Sequence, residues 1–345
     1  MVFGDALSSD QSCLTGVACF RVNLHDHYFF LLRSRSIRLS NRISAARKAA
    51  MRERALETKI LRLINRANRE YHLINPGDRI LVALSGGKDS YSMMWALTKI
   101  RAATNFSFDL VAYHLDQGQP NYDGSPMLRY MEMLEKEYGI KTELEHQNTY
   151  ERVVEKTEEG KSYCSLCSRF RRAILYKAAT RHGCNKVALG HHRDDLIETL
   201  LLNLFFAGSI KGMPPRLLSD AGTHEVIRPL SLVPEEDIIE LAQQQAFEIM
   251  PCTLCGSQQS QRKFVKTLLS DLEAENQHLK GNLLHALGNV QPSQLMDPKI
   301  NPLLDKITSS ISAGEVASQA AIGEDDDTIV IRRKEPPTTS LSILS

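Results

Sequence analysis

The chain has 345 residues, of which 42% are hydrophobic, so it can bury one large core or two smaller ones. Its formal net charge of +1 excludes an overall basic protein, so any nucleic-acid partner would have to bind a local basic patch. No apolar run approaches the ~20 residues of a membrane-spanning helix. We therefore expect a soluble, cytoplasmic protein with no membrane partner.

The two ends differ in composition from the middle. Eight basic residues and one acid lie between Arg33 and Arg54, and the tail is rich in Ser, Ala and acids and then in Pro and Thr. We predict a disordered basic extension over residues 1–54 and a disordered tail over residues 301–345. The basic end could also be a targeting segment, although the acids Asp5, Asp10 and Asp26 fit a transit peptide poorly. A third alternative is an upstream start codon, with Met51 as the usual first residue.

Between the ends, apolar runs typical of buried strands alternate with helical patterns. The predicted strands are "RILVAL", "FDLVAYHLD", "KTELEHQ" and "KVALG". This alternation predicts an α/β fold, a doubly wound parallel sheet with extra helices, over residues 55–270, followed by a helical end over residues 271–300. Ligands of such sheets bind at the carboxyl ends of the strands.

The stretch "LVALSGGKDSYSMMWAL" leaves the first predicted strand through two glycines and then enters a helix. Gly86 and Gly87 allow backbone amides to approach an anion, and the first N–H groups of the helix point to the same place. Ser85 and Ser90 add hydroxyl donors, and Lys88 adds a positive charge. This combination predicts a phosphate site rather than a simple Gly-Gly turn, with a spacing that differs from the longer P-loop.

The same hexapeptide, SGGKDS, resembles the signature of the PP-loop ATPases, which split ATP to AMP and pyrophosphate and adenylate a substrate oxygen. A second element, "GHHRDD", ends a predicted strand and is similar to another motif of that family. The resemblance implies that Gly190 and His191 join the loop residues, including Asp89, in binding the nucleotide. Asp194 is then a candidate Mg²⁺ ligand, unless it or its neighbour only caps the helix, and Asp116 is a weaker candidate for the adenosine side.

Four of the seven cysteines form two C-x-x-C pairs, Cys164/Cys167 and Cys252/Cys255. Such pairs are typical of zinc sites, but thiolates also hold iron–sulfur clusters, and the pattern alone leaves both open. Cysteine use of this kind indicates a reducing compartment.

Taken in order, SGGKDS, CSLCSRFRRAILY, GHHRDD and PCTLCGSQ resemble the tRNA 2-thiocytidine synthetase family, over about residues 55–269. The resemblance implies ATP-dependent conversion of cytidine 32 of the tRNA anticodon loop to 2-thiocytidine, by adenylation of the C2 oxygen and sulfur transfer via a 4Fe–4S cluster. It implies Cys164, Cys167 and Cys255 as cluster ligands, with one iron left open for sulfide. Cys252 is extra, which keeps zinc arguable. A homodimer and a sulfur supply through a cysteine desulfurase are also implied.

The catalytic residues implied by the match are Lys88, Asp89, Arg171 and Asp195. Lys88 and the loop amides would stabilise negative charge on the phosphates, where one preorganised donor is typically worth about 3–4 kcal/mol. Arg171 shares one predicted helix with four other basic residues, Arg169, Arg172, Lys177 and Arg181. This basic face either contacts the tRNA phosphates or the nucleotide, or it is a solvated surface without a ligand.

Two other functions fit the same residues. The chain could be another PP-loop ATP pyrophosphatase, of the lysidine, GMP or NAD synthetase type, in which the cysteines hold structural zinc. It could also be a non-enzymatic zinc-containing module that binds RNA.

Overall fold

The computed structural model describes residues 24–157, 164–250 and 259–301, and within these ranges it describes side chains from residues 47, 166 and 261 onward. The chain divides into two compact units. The first contains Met1–Arg193 and Pro214–Gln258, and the second contains Asp194–Met213 and Gln259–Ser345. None of the helices in the described ranges is long and apolar enough to cross a membrane.

A sheet with the strand order β3-β2-β1-β4-β6-β5 forms the centre of the first unit. Its strands are β1 (Arg79–Leu84), β2 (Asp109–Asp116), β3 (Lys141–His146), β4 (Lys186–Ala188), β5 (Arg216–Leu218) and β6 (Glu225–Ile227). All neighbours pair in parallel except β5, which runs antiparallel to β6 at the edge. The predicted parallel α/β class and its four strands are confirmed. The two added strands, of three residues each, are too short to give a periodic signal.

Helices precede, separate and follow these strands along the chain. Those of the first unit are α1 (Leu24–Tyr71), α2 (Lys88–Ala103), α3 (Ser125–Tyr138), α4 (Thr149–Lys156), α5 (Cys164–Arg181) and α7 (Glu235–Gln244). The second unit contains α8 (Gln259–Glu275), α9 (Leu279–Gly288) and α6 (Arg193–Ala207) from its second residue onward.

The middle of the central strands β1 and β2 is apolar because both faces of the sheet are covered there. Leu81 of β1 packs in one cluster with Val111 of β2 and with Leu175 of α5. Ile80 and Val82 point to the opposite face, since side chains alternate along a strand. Both are fully buried, and α2 contacts β1. The near-continuous apolar run of a parallel strand follows from this double burial.

Helix α1 begins inside the segment predicted to be a basic extension. Its sequence from Leu24 to Tyr71 has no Gly or Pro and is rich in Ala, Leu and Arg, which are strong helix formers. Basic composition favoured disorder at the sequence level, but arginine and lysine also suit an exposed helix. Residues 1–23 and 302–345 lie outside the described residues, and the predicted boundaries at residues 54, 270 and 300 stay predictions.

The second unit has its own small apolar core. Ile197 and Leu201 of α6 pack against Val265 and Leu269 of α8. Beside them, the buried carboxylate of Glu198 lies 3.5 Å from the ammonium of Lys266 and 3.6 Å from Arg262 Nε, all within this unit. The helices of this unit are therefore joined by both apolar and ionic contacts.

A buried ion pair lies at the amino-terminal edge of the sheet, opposite the edge where the motifs lie. Lys186 of β4 is 2% exposed, and its ammonium lies 2.6 Å from Asp78 Oδ2 and donates to the Leu73 carbonyl at 2.9 Å. The other oxygen of Asp78 accepts from the Asn185 side chain, and Oδ2 also accepts from the Asn75 amide. These bonds join β4 to the turn before β1, so the pair fixes how the two central strands enter the sheet.

Replacing one member of this pair should destabilise the fold. Lys186→Met leaves the Asp78 carboxylate buried without its cation, and we expect a loss of about 3–5 kcal/mol in the free energy of unfolding. Lys186→Met combined with Asp78→Asn should lose less than the sum of the single changes. Urea unfolding measures this, with Glu70→Ala in the exposed Arg66–Glu70 pair as the control, expected to change stability by less than about 1 kcal/mol. A Lys186→Met variant as stable as the control would contradict this role.

Candidate active site

The phosphate loop connects the end of β1 to the start of α2. Gly86 has φ +80°, a left-handed conformation that glycine adopts without strain. A Cβ on Gly86 would lie 2.7 Å from the sulfur of Met250, and the Met250 amide donates to the Gly86 carbonyl at 2.9 Å. Glycine is therefore required here both for the backbone conformation and for the close approach of the chain after α7.

The two serines of the loop bond to the loop itself. Ser90 Oγ donates to the Gly87 carbonyl at 2.9 Å and accepts from the Ser85 amide at 3.1 Å. The two hydroxyl oxygens lie 3.3 Å apart. Gly87, the N-cap of α2, has no capping side chain, so the positive end of the helix dipole is not covered by a local carboxylate or hydroxyl cap. The serines thus hold the loop in a shape that presents the helix terminus.

Lys88 is the centre of a small charged cluster. Its ammonium lies 2.8 Å from Asp89 Oδ1 and 3.1 Å from Glu235 Oε1 at the start of α7. Burial lowers the pKa of Lys88, but the hydrogen bond to Asp89 and the two negative charges outweigh burial, and the pKa is raised overall. Lys88 is therefore charged at neutral pH, with two carboxylates drawn toward one cation.

Glu235 and His192 are cluster residues that sequence reasoning missed. The His192 side chain is buried, and its Nε2 lies 3.7 Å from Asp89 Oδ1 and 3.9 Å from Glu235 Oε1. The one signal for Glu235 was its place at a helix start, directly after Pro234 and an apolar run. His192 lies within GHHRDD, but the motif match selected His191 instead.

The GHHRDD element meets the phosphate loop at Gly190. A Cβ on Gly190 would lie 3.1 Å from the Asp89 carbonyl carbon and 3.1 Å from the Ser90 amide nitrogen. This close backbone approach brings two of the predicted motifs together in the first unit. It also explains why glycine stands at this position, since a side chain would displace the first turn of α2.

A cavity of about 290 Å³ opens beside the loop, close to the lower limit of typical ligand pockets. Its wall includes Ser85 and Gly87 of the loop, Gln117 after β2, Arg171 of α5 and Met250. Of the predicted catalytic residues, Arg171 is thus placed beside the loop. The cavity lies at the carboxyl end of the parallel strands, where ligands of such sheets bind.

The wall of the cavity includes a neutral histidine, His114. His114 Nδ1 lies 2.8 Å from the Leu84 carbonyl oxygen, which can only accept, so Nδ1 carries the proton. Nε2 then accepts from the Tyr122 hydroxyl at 2.6 Å. Burial lowers the pKa of His114 and raises that of Tyr122 to about 12. This pair is therefore uncharged and shapes the wall rather than supplying charge.

The predicted adenosine residue, Asp116, shapes the turn that follows β2. Its carboxylate accepts from the Gly118 amide at 2.9 Å and lies 2.7 Å from His146 Nδ1. The next residue, Gln117, faces the cavity and accepts from Cys167 Sγ at 3.3 Å. Asp116 is absent from the described cavity wall, so its contact with adenosine stays a prediction.

The motif cysteines are described only in part. Cys167 lies on the first turn of α5, beside the cavity, and Cys164 begins that helix, although its side chain is outside the described set. Cys252 and Cys255 lie outside the described residues altogether. Cys184, which lies outside the two C-x-x-C pairs, is buried, and burial raises the pKa of its thiol to about 11.

The basic face predicted for α5 divides into two parts. Arg171 lines the cavity, whereas Arg181 pairs with Glu143 and lies 2.7 Å from Glu145 Oε2. Near the first turn, Arg172 Nε donates to the Ser168 carbonyl at 3.3 Å. Only part of this face is therefore directed to the candidate site.

The two acids that follow GHHR lie in the second unit. The Asp194 carboxylate is buried and lies 3.1 Å from Lys280 Nζ. Asp195 Oδ1 lies 3.6 Å from Arg262 Nη1. These ionic contacts hold α6 to α8 and α9, and the predicted roles of Asp194 in Mg²⁺ binding and of Asp195 in catalysis stay predictions.

Known proteins resemble both the sequence and the fold. The family model for the PP-loop domain matches residues 52–269. A tRNA-cytidine(32) 2-sulfurtransferase of Coxiella burnetii (strain Dugway 5J108-111) is 48% identical over 251 residues, covering 72% of this chain and 96% of that protein. A protein of the same name from Anaeromyxobacter sp. (strain Fw109-5) is also 48% identical, over 250 residues, covering 72% of this chain and 81% of its own length.

A solved structure shares the fold. The U34-tRNA thiolase NcsA from Methanococcus maripaludis, with its 4Fe–4S cluster, aligns with a TM-score of 0.55 at 21% identity, covering 70% of this chain and 81% of its own. With the phosphate loop, the GHHRDD approach and these matches in place, the chain belongs to the PP-loop family and, within it, to the tRNA-cytidine(32) 2-sulfurtransferases.

Proposed function

We propose that this chain is an ATP-dependent tRNA thiolase that converts cytidine 32 of the anticodon loop to 2-thiocytidine. The observation that carries the proposal is one cavity whose wall holds the phosphate loop, Arg171 and Gln117, with the thiol of Cys167 bonded to that glutamine. The loop proposed to bind ATP and a cysteine of the first C-x-x-C pair are both next to this cavity, which supports the proposal. The relatives of that activity are 48% identical over most of the chain.

The reaction divides into two displacements. The C2 oxygen of cytosine attacks the α-phosphorus of ATP, an O–P bond forms, and pyrophosphate leaves. Sulfide then attacks C2, the C2–O bond breaks, and AMP leaves with the oxygen, so no oxidant or reductant is needed. Adenylation is needed because the carbonyl oxygen is a poor leaving group, whereas AMP leaves readily.

Lys88 is positioned to stabilise negative charge on the phosphates during the first displacement. Its ammonium is now shared by Asp89 and Glu235, and the phosphates of ATP at the helix terminus would compete for it. Because its pKa is raised, it needs no proton before it can act. Arg171 supplies a cation in the wall of the cavity beside the loop.

Asp89 and Glu235 have the ligand chemistry for Mg²⁺, since both present carboxylate oxygens to the same point. Bound Mg²⁺ would neutralise charge on the phosphates. Asp194 remains the alternative ligand from the motif match.

Cys164, Cys167 and Cys255 would hold the 4Fe–4S cluster, and the Cys167 thiol beside the cavity fits that donor set. The cluster, when bound, supplies the sulfur-transfer chemistry. Gln117 accepts from the Cys167 thiol, and this thiol would give up that proton when it binds the cluster; the neutral His114–Tyr122 pair keeps that wall uncharged. A homodimer, a cysteine desulfurase as sulfur source and a cytoplasmic location complete the proposal.

The first alternative, a lysidine, GMP or NAD synthetase activity, would not explain why the sequence matches tRNA thiolases. The second alternative, a non-enzymatic zinc module, would leave the Lys88 cluster without a role. With Cys252 as a fourth thiol, the motif cysteines could hold zinc instead of an iron–sulfur cluster. Analysis of the bound metal distinguishes the two sites.

Removing the Lys88 ammonium should stop adenylation while leaving the fold intact. We expect Lys88→Ala to lower AMP and pyrophosphate formation by about 10²–10³-fold, because one preorganised charge at the phosphates is lost. The measurement is AMP release with unmodified tRNA under anaerobic conditions. Lys136→Ala, an exposed lysine of α3, is the matched control and should keep wild-type rates. The assignment of Lys88 fails if its variant retains more than about a tenth of the wild-type rate.

Three of the four motif cysteines should be required for the cluster, and the fourth should not. We expect Cys164→Ala, Cys167→Ala and Cys255→Ala to lose the cluster, whereas Cys252→Ala should keep most of it, because three thiolates leave one coordination position open. Iron and acid-labile sulfide per chain, measured after anaerobic purification, report this.

Cys184→Ala, outside the motifs, is the matched control for the cysteine series and should keep its iron. Equal iron loss in Cys252→Ala and Cys255→Ala would contradict the three-ligand assignment. Stoichiometric zinc without sulfide in the wild-type protein would contradict the cluster itself.

A further inference from the structure

A second cavity of the first unit lies between α2, α3 and the segment after α7. Its volume is about 390 Å³, within the range of ligand pockets. Tyr91, Trp95, Tyr130 and Phe247 contribute aromatic rings to its wall. We call it the aromatic cavity. Within the described part of the chain, it shares no wall residue with the cavity beside the phosphate loop.

The wall of this cavity includes a tyrosine whose hydroxyl is buried. Tyr91 is 1% exposed, and its ring centroid lies 4.5 Å from that of Tyr130, edge to face, and 5.5 Å from that of Phe247. Among the described residues, the Tyr91 hydroxyl has no hydrogen-bond partner. A buried hydroxyl without a partner is costly, and those found in native proteins call for a specific explanation. A ligand atom that accepts from this hydroxyl would supply one.

The rim of the aromatic cavity offers both a donor and an acceptor. Arg129 Nη2 lies 2.7 Å from Glu248 Oε1, and both side chains are exposed. Burial, with the negative charge of Glu248, raises the pKa of Tyr91 to about 12, so the phenol stays a donor at neutral pH. Glu137 adds a second carboxylate to the wall. The Lys99 ammonium lies 5.8 Å from the centroid of the Trp95 ring, so two cations and two carboxylates surround the cavity, and this neutral balance suits an uncharged ring that carries an amino group.

We propose that the aromatic cavity binds an unpaired nucleobase with an exocyclic amino group, cytosine or adenine. Unpaired bases stack on aromatic side chains, and a carboxylate accepts from the exocyclic amine of such a base. In this arrangement the base lies against Tyr130 and Phe247, Glu248 accepts from its amine, and Tyr91 donates to a ring nitrogen or carbonyl. The sugar and phosphate stay outside the rim.

The aromatic cavity is connected to the phosphate loop along the chain. Tyr91 directly follows Ser90 of the loop, and Glu248 is two residues from Met250, a wall residue of the first cavity. Two residues of extended chain span at most about 7 Å. One strand can therefore place one base at the reaction site and a neighbouring base here. This inference rests on the proposed function, because it takes RNA as the substrate.

The protein carries its own probe for this site. Trp95 is the single tryptophan of the chain, and it lines the aromatic cavity. We expect Trp95 emission of the full chain to change in a saturable way with short oligocytidylate or oligoadenylate, and more weakly with oligouridylate. A fully paired duplex should leave it unchanged. Free cytidine binding as tightly as oligocytidylate would identify a free nucleoside, rather than an RNA strand, as the source of the base.

Tyr91→Phe separates this role from a structural one. Removing an unpartnered buried hydroxyl should leave the melting temperature equal or higher, yet we expect the affinity for oligocytidylate to fall about five- to tenfold, the loss of one hydrogen bond. Glu248→Gln should reduce the preference for oligocytidylate over oligouridylate. Tyr71→Phe, a partly exposed tyrosine of α1, is the matched control and should bind as wild type does.

The proposal is overturned if Trp95 emission responds to none of the single strands, or if Tyr91→Phe binds oligocytidylate as tightly as wild type. The titration needs neither ATP nor a cluster, so its failure is separate from a failure of thiolation. Normal base binding without AMP formation would point to the chemistry of the phosphate loop. Normal tRNA-dependent AMP formation without base binding would count against the aromatic cavity alone.

Discussion

Burial of the parallel sheet on both faces is the constraint on which the rest of the first unit depends. Because Ile80, Leu81 and Val82 are all enclosed, the middle of β1 has no room for polar chemistry. The polar groups around this central strand lie beyond its ends, and parallel pairing brings the carboxyl ends of β1, β2 and β4 to one edge. The phosphate loop, Gln117 and Gly190 lie there for that reason. The opposite edge is used for the buried Lys186–Asp78 pair.

Close backbone approach then sets how the loop is held. Gly86 lies against Met250, and Gly190 lies against the first turn of α2. At both positions the neighbouring chain is too close for a side chain, so the loop is held tightly from two sides. The serines bond inward, and Lys88 is balanced by Asp89 and Glu235. The loop is thus held in one shape before a nucleotide enters. Until then the charge of Lys88 is neutralised by two carboxylates that are also suited to a metal ion.

Much of this could be predicted from the sequence, for physical reasons. The strands of the parallel core carry long apolar runs, and the Ser85–Ser90 loop has a composition with few other uses. Glu235 could not be found in this way, because it lies 147 residues from Lys88 and only the fold brings them together. The aromatic cavity was hidden for the same reason, since Tyr91, Tyr130 and Phe247 come from three separate segments. Only the part of helix α1 before residue 55 was predicted to be disordered, because its basic composition does not distinguish a long exposed helix from disorder, whereas the later part carries a buried apolar stripe with Leu56, Ile60 and Ile64.

The most direct test of the central claim is nucleoside mass spectrometry of tRNA after reaction with the anaerobically purified protein, ATP and a sulfide source. The account predicts 2-thiocytidine at position 32 of the tRNA, with AMP formed in equal amount. AMP formation that leaves the cytidine unchanged, or a protein with full zinc occupancy that releases no AMP, would contradict it.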